Sequence, residues 1–178
     1  YNVGLAESEG IVPFKASDNL QQYINELEQK KVEVQNAATA KDLINVAKSI
    51  QIKWLNIRAE VKYFFGYILK NRIEPFLNKA HELANRLDKE IQALKARGIQ
   101  TTGLETRLAK FNNWLSQADT AFNKAKQAYA THGGIDTFGH VTNLAEANKF
   151  LAEANSYLVD AHRYLKNAAS ELRELYKE

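Results

Sequence analysis

Apolar side chains recur every seven residues along most of this 178-residue chain, the spacing that places them on one face of an α-helix. The first series, Leu20, Leu27 and Val34, predicts a helix over about 18–36. Residues 1–16 lack this period and contain glycine and proline, so we expect an extended N-terminal arm there. The apolar residues expected to anchor the arm are Ile11, Val12 and Phe14.

A second and longer helical pattern covers about 40–97. Its first half has two neighbouring heptad series, one of Leu43, Ile50, Ile57 and Phe64 and the other of Ala47, Trp54, Val61 and Ile68. We expect both series, including Trp54 and Phe64, to face the core. Pro75 has no backbone N–H to donate, so the helix should be kinked or broken near it. The pattern leaves open whether 40–97 is one helix or two.

Two further helices are predicted at 103–131 and 143–177. The last one repeats alanine every seven residues, at Ala147, Ala154, Ala161 and Ala168, with leucine at Leu151, Leu158, Leu165 and Leu172. Small side chains let a facing helix approach closely, so the two helices should form an antiparallel, coiled-coil-like hairpin. An intermolecular coiled coil is the alternative. We therefore expect an all-α fold: an elongated antiparallel bundle of four or five helices over 17–178, with an Ala-rich C-terminal hairpin.

Composition argues against catalysis and bound cofactors. The chain has no cysteine, which excludes disulfides, thiolate metal sites and a cysteine nucleophile. Neither His81 nor His162 follows a Glu at the spacing of a carboxylate di-iron site, and no phosphate-binding or nucleophile motif is present. His132 and His140 could share a metal with Asp136, but loop histidines are common without one. We expect no enzyme activity, no cofactor and no metal.

Basic charge concentrates in residues 41–79, which hold eight Lys or Arg residues against three acidic ones. Within this region lies a segment rich in aromatic and basic residues. Those of its residues that lie at least partly outside the core-facing heptad positions form a candidate interaction surface: Lys62, Phe65, Tyr67, Lys70 and Arg72. Either a wide core covers this segment or part of it faces a protein partner, a lipid or a ligand. Nucleic acid is not favoured, because no known binding module is present.

The densest apolar stretch, nine residues from Val61 to Leu69, is too short to span a bilayer, which needs about 20. The absence of methionine favours a processed, exported protein. The stretch LKARGIQTTGLETRLAKFNNWLSQADTAFNKAKQAY and the Ala-Leu heptads after it resemble helical hairpins of uncharacterised secreted and cell-surface archaeal proteins, over about residues 90–175. This resemblance implies an exported helical bundle and names no functional residues.

These patterns together indicate a non-catalytic structural or protein-interaction module outside the cytoplasm, at the cell surface or secreted. We expect a protein partner or self-association. The alternative is an amphipathic helical protein that acts on a lipid or membrane surface.

Overall fold

The computed structural model describes Gly4, residues 8–10 and residues 15–175. Residues 15–175 form four α-helices: α1 (Ala16–Gln35), α2 (Ala40–Ala96), α3 (Thr102–Thr131) and α4 (Leu144–Leu175). In this range the only β-type pairing is an isolated antiparallel bridge between Ile135 and Val141. The helices pack against one another, so the predicted all-α bundle is confirmed. No helix in the described part of the chain is long and apolar enough to cross a membrane.

Most of the predicted N-terminal arm, including Ile11, Val12 and Phe14, lies outside the described residues. Within it, Gly4 and Ser8 have helical rather than extended backbone. Ala16 is fully buried and already begins α1.

The long pattern corresponds to one helix, because α2 continues through Pro75. Proline inside a helix costs about 3 kcal/mol, since it removes a hydrogen bond and crowds the preceding turn. On either side of it, Ile73 and Leu77 are buried. Burial of a large aliphatic side chain contributes about 1.5–3 kcal/mol. Packing of these two side chains is thus sufficient to offset the cost of the proline.

Side-chain caps fix where α2 and α4 begin. Thr39 and Asp42 cap α2 reciprocally: the Asp42 N–H donates to Thr39 Oγ1 at 3.2 Å, and the Thr39 N–H donates to Asp42 Oδ2 at 3.0 Å. Asn143 caps α4 by accepting the N–H of Ala145 at 3.1 Å. These caps satisfy backbone donors that have no partner inside the helix.

The chain divides into two compact units. The first comprises the described residues up to Ile68 together with Ala130–Ala152, and the second comprises Leu69–Tyr129 together with the described residues from Glu153 onward.

In the second unit, α2 and α3 run antiparallel. His81 Nε2 lies 2.8 Å from Asp119 Oδ2, and Lys95 Nζ lies 2.8 Å from Glu105 Oε1, so residue numbers rise along one helix as they fall along the other. Side chains of three helices meet in its core. The buried residues there are Ala84, Leu87, Ile91, Leu108, Phe111, Leu115, Ala168 and Leu175.

The predicted antiparallel hairpin of α3 and α4 is confirmed in the second unit. The rings of Trp114 and Tyr164 stack with centroids 6.0 Å apart, and the Tyr129 hydroxyl donates to Asn155 Oδ1 at 3.1 Å. Alanines on both helices are completely or almost completely buried: Ala118, Ala125, Ala154, Ala161 and Ala168. A seam of small side chains therefore lets the two helices pack closely, as the heptads predict.

Candidate functional site

The N-terminal half of α2, in the first unit, has a face that carries large exposed apolar side chains. Leu43, Trp54 and Phe65 are 45%, 55% and 59% exposed, and they follow one another at intervals of eleven residues. Eleven residues make almost three whole helical turns, so the three side chains form a line along one face of the helix. From Leu43 to Phe65 the line is about 33 Å long. We call these three residues the α2 apolar line.

The expectation that Trp54 faces the core is wrong, whereas the same expectation for Phe64 is confirmed, since Phe64 is only 2% exposed. The difference lies in what covers each residue. Phe64 lies under the loop that precedes α4, where a Cβ added to Gly139 would come within 2.5 Å of its ring. Trp54 is more than half exposed, although Lys53 beside it forms an ion pair with Glu26 of α1.

Exposed positive charge lies on the same half of α2 as the α2 apolar line. Residues 43–65 contain four basic side chains, and three of them, Lys48, Arg58 and Lys62, are exposed. The one carboxylate in this stretch, Glu60, is completely buried. Between Leu43 and Phe65 the exposed surface of α2 therefore combines apolar and cationic groups, and the nearest acid of the helix on the N-terminal side is the capping residue Asp42.

Buried Glu60 joins three segments of the first unit. Its Oε1 accepts the hydroxyl hydrogen of Tyr23 in α1 at 2.7 Å and the N–H of Val141 in the loop at 2.8 Å. His140 Nδ1 lies 3.5 Å from the same oxygen. The other oxygen, Oε2, is buried and has no hydrogen-bond partner among the residues that the structure describes. These contacts hold α1, α2 and the loop together.

Burial determines the acidity of this cluster. It raises the pKa of the Glu60 carboxyl, because a desolvated carboxylate is disfavoured, and this outweighs the opposing effect of the hydrogen bonds. Burial also raises the pKa of the Tyr23 hydroxyl, which in addition donates to Glu60. The protonation of Glu60 is thereby linked to the stability of the first unit.

The loop of residues 132–143 is held by its own hydrogen bonds and by its contacts with the helices. Asp136 Oδ1 accepts the N–H groups of Phe138 and His140, each at 2.9 Å. Asn19 of α1 is almost completely buried and donates through Nδ2 to the carbonyl of Phe138 at 2.8 Å. This hydrogen bond joins residues that are 119 positions apart in sequence.

The loop histidines have partners other than a metal. His132 Nδ1 lies 3.1 Å from the Tyr63 hydroxyl, and His140 is next to Glu60. Asp136 uses one carboxylate oxygen to order the loop backbone. Among the described residues no group of three or more His, Cys, Asp or Glu side chains is arranged to hold a metal ion.

The five residues of the predicted interaction surface fall into two groups. Lys62, Phe65 and Tyr67 belong to the first unit, and Lys70 and Arg72 belong to the second. Lys62 and Phe65 are exposed and lie on the same face of α2.

Three of these five residues, Tyr67, Lys70 and Arg72, already interact with other groups. The half-buried Tyr67 ring packs on Tyr63 with centroids 5.7 Å apart. The ammonium group of Lys70 lies 5.9 Å from the centre of the Tyr129 ring, a cation–π contact. Arg72 lines a cavity in the second unit. Of the predicted set, Lys62 and Phe65 thus remain as members of the exposed face.

Sequence reasoning missed Leu43 and Trp54 as surface residues because their heptad spacing assigned them to the core. The interval of eleven residues that links them to Phe65 is visible in the sequence and would have grouped all three. Glu60 had no sequence signal, since a glutamate on a helix is usually exposed.

The chain matches no protein-family model, no curated protein and no solved structure.

Proposed function

We propose that the protein is a non-catalytic interaction module whose α2 apolar line, with Arg58 and Lys62 beside it, binds another protein. The observation that carries this proposal is the exposure of Leu43, Trp54 and Phe65 on one helix face. Partly exposed apolar residues fill the gaps between these three on the same face, among them Ile50, Ile57 and Val61, and a continuous exposed apolar patch is typical of interaction sites. Tryptophan and arginine are also among the residues that contribute most to binding energy in interfaces.

The charges of this face specify the chemistry of the partner. The complementary surface is an apolar strip with carboxylates at its edges, as an acidic amphipathic helix provides. Attraction between opposite charges raises the association rate and falls with ionic strength. A second copy of this chain is the simplest partner to test. The resemblance to secreted and cell-surface helical proteins supports an exported location, which is part of the proposal.

One observation favours a second candidate function, binding to a membrane surface. A helix face that combines Trp54 and Phe65 with several cations is typical of interfacial helices on anionic bilayers. Flotation with neutral and anionic vesicles separates the two functions. Binding that needs anionic lipid and is lost in a Trp54→Ser, Phe65→Ser variant would favour the membrane.

The protein interaction is tested by replacing Phe65 with a photo-crosslinking amino acid and irradiating the cells that produce the protein. A matched control carries the same amino acid at Val159, which is equally exposed on α4. We expect one discrete crosslinked product, a homodimer or a complex with one protein, from position 65 and none from position 159. Trp54→Ser should abolish this product without lowering the thermal midpoint. Equal crosslinking at both positions, or none at either, would contradict the proposal.

A further inference from the structure

The second unit contains an apolar cavity of about 510 Å³ between α2 and α4. Apolar side chains of three helices line it, among them Ile73 and Phe76 of α2, Phe111 of α3, and Leu165 and Leu172 of α4. The volume lies within the roughly 300–1,000 Å³ that is usual for small-molecule sites. Phe76 is 65% exposed, so a ligand in the cavity would also cover an aromatic ring that now faces solvent.

Three polar residues line this cavity, an arginine, a histidine and a lysine: Arg72, His162 and Lys166. All three are exposed, and no carboxylate lines the cavity. In the described part of the chain, the side chains of His162 and Lys166 form no ion pair or hydrogen bond. A ligand that matches this lining has an apolar body and an anionic group, which guanidinium and ammonium groups bind by charge-assisted hydrogen bonds.

The dimensions favour an alkyl chain over a docked helix. On α2 the lining extends from Leu69 to Leu83, a rise of about 21 Å along the axis. A helix of that length and about 10 Å in diameter occupies roughly 1,600 Å³, so it would lie mostly outside the cavity. An extended long-chain acyl group has a similar length and a much smaller cross-section.

We propose that this cavity binds a single-chain anionic amphiphile of the fatty-acid class, with the hydrocarbon chain among the apolar side chains and the carboxylate at the basic residues. This is a ligand-binding activity of the second unit, and it does not depend on the α2 apolar line of the first unit.

Isothermal titration of the full chain with laurate, kept below its micelle concentration, tests the proposal. The methyl ester of laurate serves as the uncharged comparison. We expect saturable binding of one laurate per chain and weaker binding of the ester.

Two variants, each with a matched control, locate the site. Ala169 is exposed and lines the cavity, so Ala169→Trp should fill it and weaken laurate binding by more than about tenfold. Ala109→Trp, at an exposed position on α3 outside the lining, should bind as the parent does. Lys166→Glu should weaken laurate binding by roughly fivefold and leave ester binding unchanged, whereas Lys110→Glu should change neither.

Three outcomes would overturn the proposal. One is the absence of saturable laurate binding by the parent chain. Another is equal binding of laurate and its ester together with no effect of Lys166→Glu, which would show that the site does not select an anion. The third is a dimer in sedimentation velocity that Ala169→Trp converts to a monomer, because the cavity would then be covered by a second copy of the chain.

Discussion

A methyl group added at Gly134 would meet the backbone at the start of α4. The residue has φ +70°, and a Cβ built on it would lie 2.3 Å from the Asn143 carbonyl oxygen and 2.5 Å from the Ala147 nitrogen. Gly134→Ala therefore tests whether the loop packs against α4 as closely as the structure shows. Gly98→Ala is the matched control, because Gly98 has a similar φ of +77° and open space around the position of a Cβ.

The expected magnitudes follow from two separate costs. An L-residue in the left-handed region costs about 1–2 kcal/mol, which applies to both variants. At Gly134 the methyl group also forces backbone atoms apart, and overpacking of this kind costs about 1–3 kcal/mol. We expect Gly98→Ala to lower the free energy of unfolding by about 1–2 kcal/mol and Gly134→Ala to lower it by about 2–5 kcal/mol.

The assay is equilibrium unfolding in urea, followed by circular dichroism, with the m-value of each variant compared with that of the parent. An unchanged m-value shows that the midpoint shift reports stability rather than a change in the unfolded state. If the two glycine variants lose the same free energy, the close approach of the loop to α4 is wrong, because backbone strain alone would then explain both.

The remaining predictions concern the hairpin, the buried carboxyl group of Glu60, and Phe64 and Trp54 of α2. Ala161→Leu should overpack the α3–α4 seam and lower the free energy of unfolding in urea by about 1–3 kcal/mol. Ala152→Leu, at an exposed position of the same helix, should leave it almost unchanged. Equal losses in the two variants would contradict the close-packed seam. Burial raises the pKa of Glu60, so its contribution to stability is present below the usual carboxyl pKa and is lost as the pH rises through the raised value. The parent should therefore lose stability relative to Glu60→Gln as the pH rises above the usual carboxyl pKa, and a difference in unfolding free energy that does not change with pH would refute this. Phe64→Ala should cost about 3–5 kcal/mol and Trp54→Ala less than about 1 kcal/mol, and thermal or urea midpoints that fall equally would show that Trp54 is buried.

Local sequence patterns were sufficient for the helices and for one hairpin. The bounds of α2, α3 and α4 lie close to those expected, since caps such as Thr39 and Asn143 and terminators such as Gly98 act within a few residues. The close packing of α3 on α4 was also predictable. The two helices are neighbours in sequence, and the buried Ala154 and Ala161 carry the small-residue heptad.

Contacts between distant residues decided the parts of the molecule that sequence reasoning missed. The loop before α4 is held by Glu60 and Asn19, which lie 81 and 119 positions from their partners in it, and no local pattern indicates such a pairing. The apolar cavity likewise is lined by side chains of three helices. The sequence of each helix by itself shows only an ordinary amphipathic pattern.

Leu43, Trp54 and Phe64 show most clearly what the sequence alone does not determine. Their periodicity determines that each lies on an apolar stripe of one helix, because the helical repeat fixes the direction of each side chain. It does not determine whether another segment covers that part of the stripe. Phe64 is covered and contributes to the core, whereas Leu43 and Trp54 are exposed and form part of the proposed binding surface. Burial depends on the whole set of packed elements, so only the tertiary structure could assign these residues to core or surface.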